Sequence, residues 1–435
     1  MPQLDLKSKA VRDALWSANF GLERETLRVT AQGRMAHTRH PFPADDPCIV
    51  RDFCENQVEI NTGVHDSVAG AVAELSAIDA RVRLTLSALP EPEYLWPCSN
   101  PPFLSGEEDV PIASFIGRRA PKTLYREHLA SSYGRRKMAF CGIHANISFA
   151  PGLIAAAAAD EPDPRRFGDA LYCELAAKVA EHAWLLVALT AASPVADASL
   201  VEDLQPGGRH SKMNAPQSSL FLGMGSVRCS ELGYWNDFVP VFDYADAASW
   251  AKSVGRYVDA GLIAAPSELY YPVRLKPRGA NRLDAIERNG IDRIEMRMID
   301  LNPFSPTLVD ARDIAFMHLL LVRLSTLPRT PHSAKAQIAA ARNAKAAARF
   351  DLDMAKILGP DGRSAPVRDA ALRALDEIAA FAAPLGAPPH LREALDFQRD
   401  KLERAGIRYA ERARAAFSGN FAGGVLKLAR GSANV

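Results

Sequence analysis

The chain has 435 residues, 48% of them hydrophobic and 24% charged, close to an ordinary globular protein. Fifty-two Lys and Arg stand against 51 Asp and Glu, a formal charge of +1, so neither nucleic acid nor an anionic membrane surface is expected as a partner. The length exceeds the roughly 250–300 residues at which single cores stop growing, which predicts one large body, 1–327, with a helical C-terminal region, 328–435, packed on it.

In chain order, the N-terminal MPQLDLKSKAVRDALW has no continuous apolar stretch, so no secretory signal is expected. Asn19–Val29 alternates like a strand, and Asp52–Thr62 does the same. Asp66–Leu89 carries Val68, Val72, Leu75, Ile78 and Val82 at helical spacing. Gly142–Phe149 is a third alternating segment. Phe167–Ala192 is the most apolar long stretch, but Asp169, Glu174, Lys178, Glu181 and His182 interrupt it, which predicts a buried helix rather than a membrane span. It ends at Ser193-Pro194. Tyr271–Gly279 and Asp292–Ile299 alternate again. After the turn-rich Asn302–Pro306, a helix is expected over Asp310–Leu327. Beyond the linker LPRTPHS, helical patterns cover Ala334–Ile357, Val367–Ala383 and His390–Phe417, and the last 18 residues carry only a weak signal. The six cysteines form no CxxC pair, so free thiols in a reducing cytosol are expected.

The alternating segments carry the functional signal. Side chains on a strand point to opposite faces with a period of two. Glu23 and Glu25 therefore share a face, as do Gln57, Glu59 and Asn61. His144, Asn146 and Ser148 share one, as do Arg293, Glu295 and Arg297, and Arg274, Lys276 and Arg278. These are the patterns of antiparallel strands with one apolar and one polar face. Side by side, the polar faces would gather several carboxylates, which repel unless a cation lies between them. Spacing alone leaves two readings open, a magnesium-type site with oxygen ligands and a solvated outer face. No GxxxxGK[ST] loop is present, so any phosphate must be held by metals and strand side chains.

Seven segments resemble, in order, the bacterial glutamate–cysteine ligase family: FGLERETLRV, RDFCENQVEI, KTLYREHLASSYG, GIHANISF, RCSELGY, ELYYPVR and IEMRMIDLNPFSP. They span about three quarters of the chain. The resemblance implies an α+β fold, a curved antiparallel sheet funnel of the glutamine-synthetase-like kind with packed helices. It implies ATP-driven ligation in which the γ-carboxylate of glutamate is phosphorylated and the amine of cysteine attacks the acyl phosphate, with ADP and phosphate leaving. The small-molecule partners are then glutamate, cysteine and ATP, and the product begins glutathione synthesis. A cytoplasmic monomer or small homo-oligomer is expected.

Residue by residue, the resemblance makes Glu23, Glu25, Asp52, Glu59, His144 and Glu295 ligands of magnesium, with manganese as the other candidate. Arg297 matches an arginine on the ATP phosphates, and Arg274 and Lys276 are expected beside it. Arg228 matches the residue that holds glutamate, where a planar fork suits a carboxylate. Arg297, Glu59 and Arg228 are the expected catalytic set. Phe53, Tyr125 and Tyr234 match the aromatic acceptor pocket, and Tyr270 matches a tyrosine of the glutamate region. The chain departs from the family pattern at Ala145, in NQVEINTGV and beyond Leu327. A γ-glutamyl ligase for a different amine is therefore the competing expectation.

Overall fold

The computed structural model describes residues 3–204, 219–233 and 235–431. Its centre is a seven-stranded antiparallel sheet curled into a half-barrel. The strands are β1 (Ala18–Thr30), β2 (Ile49–Arg51), β3 (Gln57–Asn61), β4 (Glu93–Trp96), β5 (Ile143–Phe149), β6 (Val273–Pro277) and β7 (Ile291–Ile299). Their lateral order is β2-β3-β1-β5-β7-β6, with β4 paired to the last four residues of β1. β1 is the axis because its 13 residues are long enough to border β3 on one edge and both β5 and β4 on the other.

One face of this sheet is core. Leu22, Val58, Ile60, Ile147, Ile294 and Met296 are at most 1% exposed. The Pro164–Thr190 helix packs across β6 and β7 and carries the Ala311–Ser325 and Ala334–Ala347 helices on its other flanks. It is apolar nearly all round, as a helix buried between layers must be. Its Glu174 and Lys178 form an ion pair of 3.3 Å and also bond segment 327–332, which closes the helix against the start of the C-terminal region. Among the described residues, no helix is long and apolar enough to cross a membrane.

Four expected elements differ in extent. Asp52–Thr62 is not one strand: Asp52 lies in a turn between β2 and β3, and Gln57 Oε1 accepts a 3.1 Å bond from the Phe53 N–H to close it. The helix expected to reach Ile357 stops at Ala347, because the Ala348 carbonyl accepts from Gly225 and Ser226; Ile357 sits instead in a two-stranded pair, Lys356–Leu358 with Ser364–Pro366. His390–Phe417 is two helices, Pro389–Glu403 and Tyr409–Phe417, split near Gly406 at φ 77°, a left-handed conformation that glycine adopts without penalty. The weak C-terminal signal is a helix, Phe421–Gly431, whose Phe421 is buried against Trp96.

Candidate active site

The antiparallel register brings the polar faces together. Glu25 stands opposite Glu59 on β3, and Glu23 opposite His144 on β5. Asn146 then stands opposite Glu295 on β7, and Arg274 opposite Glu295 from β6. A bulge makes β7 advance three residues, from Met296 to Ile299, while β5 advances two, from Ala145 to Ile143. Arg297 lies in that irregular stretch, where bulges re-aim side chains.

The site has two electrostatic halves. In the cationic half, Glu295 is 1% exposed and bonds Lys276 Nζ at 2.9 Å and Arg297 Nη1 at 3.1 Å. Burial alone would raise its pKa, but Arg297, Lys276 and His144 hold the carboxyl well below the usual range. Arg274 donates to the Ser267 and Leu269 carbonyls, and burial beside Arg297 lowers its pKa to about 10. Arg293 donates to Asn146 Oδ1 at 2.9 Å, and Asn146 donates in turn to Glu23 at 3.0 Å.

In the acidic half, the Gly142 N–H donates to Glu25 at 2.9 Å. Burial, with Asp52 adding to it, pushes Glu25 up in spite of His144. Glu59 is pushed well above the usual range by burial and by Asp52, Glu23 and Glu25. Between the halves stands His144, with Nδ1 2.9 Å from Glu23 and 3.9 Å from Glu295, and Nε2 3.6 Å from Glu25.

The back face of β1 shows what balanced burial looks like. There Arg24 pairs with Asp79, which also holds Arg83 at 2.6 Å, and Arg28 pairs with Glu93 at 2.6 Å, so each acid has a cationic partner. On the front face, among the described residues, the one basic side chain within ion-pair distance of Glu25 is His144, at 3.6 Å, and Glu59 has none. Donor atoms of Glu23, His144 and Glu295 lie within 4.8 Å of one another, the one group of that tightness among the described residues. His144 Nε2 is buried with no hydrogen-bond partner. Carboxylate oxygens with one imidazole, next to acids that want a positive charge, fit a hard divalent cation. Glu295 retains acceptor capacity for it, since a carboxylate offers about four lone-pair sites. Glu25, Asp52 and Glu59 flank this group without joining it at that distance.

Arg228 lies at the edge of the site. Its Nη2 donates to the Arg297 carbonyl at 2.9 Å and its Nη1 to the Ile299 carbonyl at 3.3 Å. It passes so close to Gly142 that a Cβ there would lie 2.3 Å from the guanidinium carbon. The aromatic positions are dispersed. Tyr125 is half-buried and bonds Ser267 near Arg274. Tyr270 sits edge-on to Tyr133, ring centroids 5.2 Å apart. Phe53 packs into the core at 2% exposure, next to Asp52 in the chain. Tyr234 lies outside the described residues.

Two residues of the Pro121–Tyr133 helix also reach the acids. Arg126 donates to the Asp52 carbonyl, approaches its carboxylate to 3.9 Å and stacks 4.8 Å from the Phe115 ring. Lys122 lies one turn earlier, in the field of Glu59 and Asp52. Their spacing, Lys122-x-x-x-Arg126 behind Pro121, is legible as one basic helix face.

Residues 4–347 match the family model described as glutamate-cysteine ligase. The bifunctional glutathione biosynthesis protein of Listeria monocytogenes is 34% identical over 402 residues, 90% of this chain and 51% of that protein. Its Listeria innocua counterpart is 34% identical over 384 residues, 86% and 49%. The chain thus spans about half the length of these curated relatives. A crystal structure of a bifunctional glutathione synthetase from Pasteurella multocida superposes with a TM-score of 0.84 at 25% identity, covering all of this chain and 55% of that one. A glutamate–cysteine ligase from Francisella tularensis, solved with AMP, has the same fold, with a TM-score of 0.83 at 23% identity over 96% of this chain and 88% of that one.

Proposed function

We propose that this chain, which belongs to the glutamate-cysteine ligase family, joins the γ-carboxylate of glutamate to the amine of cysteine at the expense of ATP. The observation that carries this reading is the sheet face divided between clustered acids, with His144 among them, and clustered cations. A carboxylate is a poor electrophile, so it must first be activated as an acyl phosphate. A γ-carboxylate oxygen forms a bond to the terminal phosphorus of ATP, and ADP leaves. The amine then forms the C–N bond, loses a proton, and phosphate leaves.

The residues divide this work. Arg297 and Lys276, already fixed on Glu295, face the charge that develops on the transferred phosphoryl group, and Arg274 supports them. Arg228, clamped by two carbonyls, holds the glutamate carboxylate. Glu23, His144 and Glu295, with Glu25, Asp52 and Glu59 beside them, would hold magnesium or manganese, which neutralises phosphate charge when bound. Glu59 stands opposite Glu25, so each raises the demand of the acidic half for a cation. Tyr125 borders the acceptor and Tyr270 the glutamate.

All these residues lie in 1–327, which we assign the chemistry, with the helical region 328–435 as its support. Six cysteines without disulfides suit a reducing cytoplasm. The product, γ-glutamylcysteine, would enter glutathione synthesis. The departures from the family pattern at Ala145 and in NQVEINTGV support a second reading, in which another small amine replaces cysteine.

Incubating the protein with glutamate, ATP, magnesium and one amine at a time, while following ADP release, tests both readings. Cysteine should give the highest kcat/KM; a preference for a non-thiol amine selects the second reading, and no ADP with any amine refutes both. Glu59→Ala and Arg297→Ala should each abolish phosphate release while the proteins stay folded, and normal turnover in either removes that residue from the mechanism. Tyr125→Phe should raise KM for cysteine more than for glutamate or ATP; equal changes in all three count against an acceptor role.

A further inference from the structure

A cleft of about 300 Å³ lies away from this site, between the turn that follows β7 and the C-terminal helices. That volume is at the lower end of small-molecule sites. Its walls include Phe304, Arg312, Phe397, Ile407, Tyr409 and Arg412. It is on the far side of the sheet from the acids: Arg24, on the core face of β1, donates to the Thr307 carbonyl of the same turn at 3.3 Å.

Two guanidinium groups in the cleft are stacked on rings. Arg312 lies 3.4 Å from the Phe397 centroid, and Arg412 lies 4.1 Å from that of Phe304. Phe304 is itself stacked on Phe417, with planes 4° apart. Arg312 is occupied, with bonds of 2.9 and 2.7 Å to Asp310. Arg412 differs: among the described residues, no carboxylate lies within ion-pair distance of it. The Arg312, Arg412 and Asp310 charges leave one positive charge in surplus. Among the described residues the Arg412 guanidinium also makes no side-chain hydrogen bond, so while it lies over the Phe304 ring its N–H fork can receive a carboxylate through two parallel bonds.

The turn is also strained. Leu308, at φ 63°, is the one non-glycine residue at positive φ among the described residues. Its N–H is bonded to the Ser305 carbonyl at 2.9 Å, and its own carbonyl accepts from Asn302 at 2.8 Å. Such conformations persist where surrounding structure enforces them, and they collect at ligand clamps.

We propose that this cleft binds a small monocarboxylate with a planar apolar body, its carboxylate on the Arg412 fork and its body against the Phe304 and Phe397 rings. The site is independent of the ligase reading. Binding of 4-fluorobenzoate to the full chain, followed by ¹⁹F NMR in the presence of saturating glutamate, tests it. The expected result is saturable millimolar or tighter binding that weakens at least about tenfold in Arg412→Ala, less in Arg412→Lys, and is unaffected in Arg297→Ala. The neutral 4-fluorobenzamide should bind at least about tenfold more weakly than the acid. Unchanged binding in Arg412→Ala, equal binding of acid and amide, or displacement of the probe by glutamate would each overturn the proposal.

Discussion

Replacing Gly142 by alanine would place a methyl carbon 2.3 Å from the Arg228 guanidinium carbon and 2.7 Å from its Nε. Gly142 is not among the residues at positive φ, so the backbone itself tolerates a side chain and the clash is the whole effect. Since β5 begins at the next residue and the Gly142 N–H is held by Glu25, the side that yields is Arg228. It can yield only by leaving the Arg297 and Ile299 carbonyls. Hydrogen bonds to charged groups contribute about 1.5–3 kcal/mol each, so losing two costs at least about 3 kcal/mol. At about 1.4 kcal/mol per factor of ten, kcat/KM for glutamate should fall about 100-fold. Glutamate titrations read by ADP release measure it, and thermal unfolding separates it from loss of fold. In an Arg228→Ala background the same substitution should add little, because the displaced group is gone. If Gly142→Ala keeps full kcat/KM for glutamate with an unchanged Tm, the placement of Arg228 does not govern substrate binding.

Other perturbations address different parts of the molecule. Lys401 is fully buried, paired with Asp313 and bonded to the Leu189 carbonyl at 2.9 Å. Lys401→Met strands the Asp313 charge and should cost about 3–5 kcal/mol in urea unfolding; a loss under about 1 kcal/mol would mean that Tyr409 and Gln398 satisfy Asp313 unaided. His332, 5% exposed at the side chain, contacts Glu174 and Glu181 at 3.1 and 2.9 Å. Burial opposes its charge, but the two acids raise its pKa to about 9. A raised histidine contributes stability in full below its unfolded pKa of about 6.5 and loses it as pH climbs through 9, here up to about 3 kcal/mol. Urea midpoints should fall between pH 6.5 and 9.5, and His332→Gln should flatten that slope. Lys276→Met removes one of the two cations bonded to Glu295, so kcat should drop at least about tenfold with little change in KM for cysteine; an unchanged kcat removes Lys276 from phosphoryl transfer.

The alternation of Glu23 with Glu25, and of Arg293, Glu295 and Arg297, was readable because strand geometry has a period of two and nothing in those segments breaks it. Which strands are neighbours was not readable, since register joins Glu23 to His144 across 121 residues. The sorting into an acidic and a cationic half follows from that register alone. A strand running from Asp52 would put its carboxylate on the Val58 face, out of phase with Glu59; the Gln57 side chain, folding back on the Phe53 N–H, makes this stretch a turn instead. The single helix over His390–Phe417 was plausible from apolar spacing, and Gly406 in a left-handed conformation ended it. Lys122 and Arg126 had a helical spacing in view, yet their meeting with Asp52 depends on tertiary placement.

The central position of β1 also determines when the acids first meet. β1 pairs with β5 across more than a hundred residues, and β5 with β7 across a similar distance, so no short stretch of chain holds both Glu23 and Glu295 in place. Contacts of such long sequence separation form slowly, after the entropy of closing the intervening chain has been met. The carboxylates therefore come together only as the sheet closes, and a nascent or partly unfolded chain has the residues of the site without the site itself.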